Sequence, residues 1–427
     1  MVNAVEKDRK ILGVSRTVFV LGIVSFLTDV SSEMLIPIVP QFLMFALGTP
    51  GQLVGLIEGV AESTASVLRV YAGYLADKFG RPKLLTVLGY GLSAVSRPFF
   101  IAATSWADVL GIRFADRFGK GIRSAPRDVL IADSTDESQR GRAFGLHRAM
   151  DTAGATLGPL IIVLLVLFFV GERFVVAPSE GHRGLYKMIF IAATVPAVLG
   201  WLVLVVFVPE RRREEHSARR PEIRLSALGR RFRVFLAIVT LFAIGNSSDA
   251  FLVLRATSPR AEGGVGMPFL TFLLVYVSFN ALSAIVALRS GVLSDKIGRR
   301  PVIIAGWLVF SAVYFAMARV TTSTGVWIWF IIYGIYYGMT EGMLRAYAVD
   351  LAPSHLRGTA VGAYYSFTGI ALLPASLIAG RLWDALSPAA PFYYGAATSL
   401  AAALLLAVLL KPDGRVSQDV REMLDSQ

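Results

Sequence analysis

Apolar runs of membrane-spanning length follow one another along this 427-residue chain with little between them. A bilayer core about 30 Å thick takes about 20 apolar residues per helix. On that measure the sequence predicts twelve spans, at 17–47, 51–75, 83–104, 106–132, 142–170, 185–208, 233–256, 267–290, 301–319, 325–349, 358–382 and 391–410. The fourth and tenth are the least apolar, and they are kept because dropping either breaks the alternation of charged loops described below. The fourth carries Arg113, Asp116, Arg117, Lys120, Arg123, Arg127 and Asp128. Set on a helix, these recur at roughly i, i+3, i+4, i+7 and share one broad face. An ionised group near the bilayer centre costs about 2.5 kcal/mol or more, so that face is expected to line a wet, protein-enclosed cavity and not lipid.

Lys and Arg favour cytoplasmic loops and so orient the spans. Lys7, Arg9 and Lys10 precede the first span, Lys78, Arg81 and Lys83 follow the second, and Arg140 and Arg142 follow the fourth. A strongly basic run from Arg211 follows the sixth, Lys296, Arg299 and Arg300 follow the eighth, and Arg357 follows the tenth. The intervening loops are short and nearly free of Lys and Arg, apart from Arg173, Arg183 and Arg260. Both termini are therefore expected in the cytoplasm. The opening MVNAVEKDRK has no small-residue cleavage site after it and is read as a tail before an uncleaved span.

Composition agrees and narrows the chemistry. The chain is 55% hydrophobic and 17% charged, with a mean hydropathy of +0.61, the balance of a polytopic membrane protein. It has no cysteine, which rules out disulfides, a thiol nucleophile and thiolate metal sites. His147, His182, His216 and His355 have no metal-ligand spacing, so neither metal nor cofactor is expected. The net charge of +12 is placed as a topology determinant, and nucleic acid is not expected as a partner.

The two halves repeat at an offset of 216 to 218 residues: Ser31-Ser32-Glu33 with Ser247-Ser248-Asp249, Asp133 with Asp350, and Arg140-Gly141 with Arg357-Gly358. Gly73-x-Leu75-x-Asp77-Lys78-x-Gly80-Arg81 likewise matches Gly291-x-Leu293-x-Asp295-Lys296-x-Gly298-Arg299. The fold class expected is all-α membrane: two pseudo-symmetric six-helix bundles, residues 1–208 and 233–427 with a short cytoplasmic tail, joined by a cytoplasmic linker at 209–232. Such repeats place a substrate site at their interface near mid-membrane.

On these residues the chain resembles the major facilitator superfamily over essentially its whole length. Gly73 to Lys83 is similar to the signature between its second and third helices, with Gly291 to Arg300 as the second copy. The resemblance implies a cytoplasmic gate from Gly73, Asp77, Gly80, Arg81 and Asp133, repeated in Gly291, Asp295, Arg299 and Asp350. Arg117-Phe118-Gly119 resembles the fourth-helix motif that drug:proton antiporters link to proton transfer, with Lys120 where those proteins often have Gln. Gly154-x-x-x-Gly158-Pro159 resembles their fifth-helix packing motif, although its second glycine pair is replaced by Leu160-Ile161-Ile162-Val163.

The remaining intramembrane charges are weighed on their own chemistry. Asp29 and Glu33 are one turn apart, with Pro37 and Pro40 nearby to bend the helix. Low dielectric favours the neutral form of a carboxylate unless a cation is close, the condition for a proton carrier. The alternative is permanent pairing with the fourth-helix arginines. Asp151 and Asp116 are further proton-coupling candidates, and Arg148 can contact Asp151 at i, i+3. Glu58 is read as a gate or a solvated residue, and Arg97 as structural. Arg113, Arg117, Lys120, Arg123, Glu62, Asp249, Glu341, Arg345 and Tyr337 are candidates for lining the substrate cavity, and the excess of Arg leans towards anionic cargo. Tyr333, Tyr336, Tyr347, Tyr364 and Tyr365 suit the second half to an organic molecule. The expectation is a monomeric, multi-pass transporter of the cell inner membrane, working with protons and a small-molecule substrate by antiport. Symport of an anionic nutrient is the nearest rival; a membrane sensor is the rival of another class, and an enzyme is not expected.

Overall fold

The structure is a computed structural model that describes residues 10–11, 13–79, 81–136, 139–169, 183–210, 225–353 and 356–410. Helices account for nearly all of them. In chain order they are α1 (Arg16–Leu35), α2 (Ile38–Gln41), α3 (Gly51–Phe79), α4 (Pro82–Ser96), α5 (Trp106–Asp133), α6 (Arg140–Phe169) and α7 (Arg183–Phe207). The second set is α8 (Gly229–Gly245), α9 (Ala250–Thr257), α10 (Phe269–Ile297), α11 (Arg299–Arg319), α12 (Ser323–Asp350), α13 (Arg357–Ala385) and α14 (Ala390–Leu409). Two two-residue strands, Lys10–Ile11 and Val14–Ser15, form a small antiparallel hairpin before α1 that the hydropathy pattern did not announce. Gly13 turns it at φ +79°, and the Ser15 hydroxyl accepts from the Val18 amide, capping α1.

Nine helices among the described residues are long and apolar enough to cross a membrane. Three long ones fall outside that set: α3, α5 and α12. In α3 and α5 the reason is charge, and both bury it against other helices. Large apolar side chains such as Leu88, Phe99, Leu164 and Leu288 remain exposed on the outside, as expected of surfaces that meet lipid.

Two expected spans are broken. The first stops at Leu35, resumes as α2 around Pro40 and closes in a π-helical turn at Phe42–Ala46. Pro37 and Pro40 lack the amide hydrogens that would continue the ladder. The seventh divides into α8 and α9, leaving Asn246, Ser247, Ser248 and Asp249 between them. A discontinuous helix of this kind offers free backbone and side-chain polar groups inside the membrane.

Packing brings α1 against α6 and α7, and sets α5 between α3 and α4. Further along, α12 lies on α10 and α11, and α14 on α11 and α8. The longest contact between the two sets is α13 on α3, with α10 on α6 and α2 on α9. Glycine permits the first of these. A Cβ on Gly55 would collide with the Ser376 carbonyl of α13, and one on Gly59 would lie 3.0 Å from the Leu373 Cα.

Candidate functional site

The charged face of α5 is set up by its ends. Ser105 and Asp108 form a reciprocal capping box at its start, and Asp116 to Arg127 then pass between α3 and α4. Each buried charge there meets a partner. Arg113 reaches Glu58 at 2.5 Å, Arg117 reaches Glu62 at 3.0 Å, and Asp116 lies 3.5 Å from Arg97. Arg97 is fully buried and also donates to the Ser32 hydroxyl at 2.8 Å. Arg123 lies over the Tyr90 ring at 4.2 Å and donates to Ser93 at 2.7 Å.

This pairing changes several expectations. Ions are tolerated away from water only when paired, and Arg97, Arg113 and Arg117 are so paired, which takes these three out of the cationic excess read from the sequence. Glu58 is buried in an ion pair and is neither solvated nor free. Asp116, expected as a proton carrier, is held by Arg97. Arg148 does not turn to Asp151: it meets Glu341 of α12 at 3.4 Å, while Asp151 lies 3.5 Å from His147.

The carboxylates of α1 are the ones left outside this arginine network. Among the described residues no hydrogen-bond or ion-pair partner touches Asp29, which is half-buried; Lys120, Arg123, Arg127 and Arg148 act on it only at longer range. Glu33 accepts from the Tyr276 hydroxyl of α10 at 2.9 Å. In the break between α8 and α9, Asp249 accepts from Tyr333 at 2.8 Å. Half-buried Tyr337 meets Phe279 edge to face at 5.6 Å, and half-buried Lys120 lies one turn from Arg117. Glu341 and Arg345 are exposed at one end of α12. At the other end of the assembly, Asp384 of α13 accepts from the first two amides of α3, at 2.9 and 2.7 Å.

Residues 21–376 and 265–424 match the sequence profile of the Major Facilitator Superfamily. The chain belongs to that superfamily. It is 34% identical to an uncharacterized MFS-type transporter of Methanocaldococcus jannaschii, over 94% of this chain and 96% of that one. It is 24% identical to the probable 4-methylmuconolactone transporter of Cupriavidus pinatubonensis, covering 73% of this chain and 71% of that one. It is also 24% identical to the quinolone resistance protein NorA of Staphylococcus aureus, covering 92% and 96%. Among solved structures, a POT family transporter in complex with 5-aminolevulinic acid superimposes with a TM-score of 0.76 at 14% identity, covering 94% and 97%. The chain is thus a multi-pass membrane protein of a transporter family.

Of the gate residues that the superfamily pattern implies, Arg299 and Asp350 come together at 2.5 Å. Arg81 is exposed at the start of α4, a Cβ on half-buried Gly291 would meet nothing within 4 Å, and Asp133 closes α5. Gly80 and the side chains at Gly73, Asp77 and Asp295 lie outside the described residues. The small residues of α6 do set a close approach: a Cβ on Gly154 would sit 2.5 Å from the Phe26 carbonyl of α1, and one on Gly158 2.5 Å from that of Val30. Pro159 follows within the helix.

His147, which fits no metal-ligand spacing in the sequence, belongs with Asp151 and Ser25 in this group. It is buried, its Nε2 2.7 Å from the Ser25 hydroxyl. The signal was present: His147 and Asp151 are one turn apart on α6, as Ser25 and Asp29 are on α1. His182, His216 and His355 lie outside the described residues.

Proposed function

We propose that this superfamily member is a secondary active transporter that exports a small organic molecule in exchange for protons. The reading takes twelve spans in two six-helix bundles, residues 1–208 and 233–427, with the 209–232 linker and both termini on the cytoplasmic side of the inner membrane. Rocking of the bundles about a midplane site, in a monomer, would give alternating access.

One observation carries the coupling: Asp29 and Glu33 are left unpaired by the arginines, because Glu58, Glu62 and Asp116 already neutralise Arg113, Arg117 and Arg97. A carboxylate in a permanent ion pair has no use for a proton, whereas one beside water and a phenol can exchange it. Glu33 is also joined to the other half through Tyr276, so its protonation acts where the halves meet. Efflux draws support from the likeness to a quinolone resistance protein. Uptake by symport is the second reading, favoured by the likeness to a probable 4-methylmuconolactone transporter and by the altered motif after Pro159.

Reconstituted protein carrying a pH dye in the liposome lumen separates the two. Inward flow of a fluorescent quinolone or of 4-methylmuconolactone should alkalinise the lumen under antiport; acidification would replace antiport by symport. In the carried substrate, Glu33→Gln should abolish pH-gradient-driven transport and leave counterflow exchange intact. Gradient-driven transport that survives unchanged would remove Glu33 from the coupling.

A further inference from the structure

The seam between α1 and α6 holds more than close-packed glycines. Glu33 faces Gly158 and Asp29 faces Gly154, a Cβ on either glycine lying 3.0 and 3.2 Å from the Cβ of its acidic neighbour. Three residues before Gly154 comes Asp151, and one turn before that His147, which closes on Ser25 of α1. The α1 positions 25, 29 and 33 are successive turns of one face, so this row of groups spans about 12 Å along the helix. It begins at the contact with Tyr276, where the halves meet.

At the far end the row approaches water. Ser25 also lies 3.3 Å from Arg127 and 3.2 Å from the Tyr90 hydroxyl. Arg127 is bound to Asp128 at 2.9 Å, and the Asp128 side chain is 51% exposed. Midway, the Asp151 Oδ1 atom is buried without any hydrogen-bond partner. An unsatisfied buried carboxylate oxygen is costly, and a proton arriving on Asp151 relieves that cost.

We propose that His147 is the relay that passes protons between this row of carboxylates and the water beside Asp128. Asp151 gives the proton on its carboxyl to His147 Nδ1 and becomes a carboxylate, while the proton on Nε2 leaves to Ser25 Oγ. Ser25 releases its own hydroxyl proton to a water molecule beside the partly exposed Arg127 and Asp128 side chains, Arg127 itself only donating to Ser25 and relaying no proton, so each atom ends with its starting valence and one proton has moved. Return of the ring to its first tautomer resets the relay. The groups that face His147 and set its charge are Asp151 and Arg148 on α6, Ser25 and Asp29 on α1, Arg127 on α5 and Tyr90 on α4. This inference rests on the proton-coupled reading above.

The test uses full-length protein in liposomes with a trapped pH dye, a fluorescent quinolone or 4-methylmuconolactone as cargo, and two variants. His147→Gln should cut proton movement at least tenfold between pH 5.5 and 8.5 while cargo counterflow stays within twofold of the unaltered protein. Asp151→Asn, which keeps the side-chain shape should the first variant not fold, should show the same separation. Proton movement within twofold of the unaltered protein and an unchanged pH profile in either folded variant would overturn the relay. If Glu33→Gln still abolishes gradient-driven transport in that case, the coupling reading stands without it. If the unaltered protein moves no proton with either cargo, both ideas fall.

Discussion

The charged helix α5 and its counterpart α12 occupy matching places in the repeat, and their buried contents differ in kind. Shifted by 217 residues, the separation of Asp133 and Asp350, Arg97 and Asp116 correspond to Tyr314 and Tyr333, while Asp249 is the counterpart of Glu33 at the offset of 216. In the first half Arg97 ties Asp116 and Ser32; in the second Tyr333 ties Asp249 at 2.8 Å and lies against Tyr314 with ring centroids 6.2 Å apart. At the offset of 218 that joins Gly73 to Gly291, Glu58 corresponds to Tyr276, and at 217 Arg113 corresponds to Phe330; elsewhere in the second half Phe242 and Trp307 stack at 4.7 Å. One scaffold thus fills equivalent space with ions on one side and rings on the other. Packed rings carry no exchangeable charge, so under the proposed coupling the asymmetry favours residues 16–207 as the side that handles the proton.

The strongest way to break that comparison is to convert one side into the other. Arg113→Ala leaves Glu58 charged, buried and alone, and should destabilise the protein by about 3–5 kcal/mol. The double change Glu58→Val with Arg113→Phe puts apolar side chains in place of the ion pair. Since well-packed apolar replacements of buried ion pairs are often neutral or stabilising, its thermal unfolding in detergent should lie far closer to the parent than that of the single variant. A double variant as unstable as Arg113→Ala would mean that apolar side chains cannot fill the place of this ion pair. A smaller effect is expected at Gly158, whose counterpart is Ala375. The Gly158→Ala Cβ would meet the Val30 carbonyl at 2.5 Å, so α1 has to shift, at about 1–3 kcal/mol by the same unfolding measurement.

How much of this was legible beforehand follows the physics of each signal. Hydropathy finds helices because lipid demands about 20 apolar residues, and the observed ends fall within a few residues of most expected ones. It does not find the breaks: the one after Leu35 is signalled instead by Pro37 and Pro40, while the one after Gly245 depends on how the Asn246 to Asp249 turn is held by neighbours. Helical spacing placed Arg113 to Arg127 on one face correctly, since that is local geometry. Which acid each arginine meets is decided by α3 and α4, whose rotation no single helix reveals; hence the sequence does not announce the Glu58–Arg113 pair, nor that Asp151 meets His147 while Arg148 meets Glu341. His147 fits no metal-ligand spacing, and its only signal in the sequence is its i, i+4 relation to Asp151.

The smallest test falls on the aromatic side. Tyr333→Phe keeps the ring contacts with Phe279 at 5.5 Å and Tyr336 at 5.3 Å and removes only the hydroxyl that donates to Asp249. Interhelical hydrogen bonds inside membranes contribute about 0.6 kcal/mol on average and about 1.7 at most, so unfolding should shift by no more than that. Arg97→Met removes the equivalent tie in the first half, yet it strands Asp116 as a buried charge and so belongs with the larger losses. If the two substitutions proved equally mild, the ions of the first half would be as replaceable as the rings of the second. The division between a proton-handling side and a packing side would then have no energetic basis.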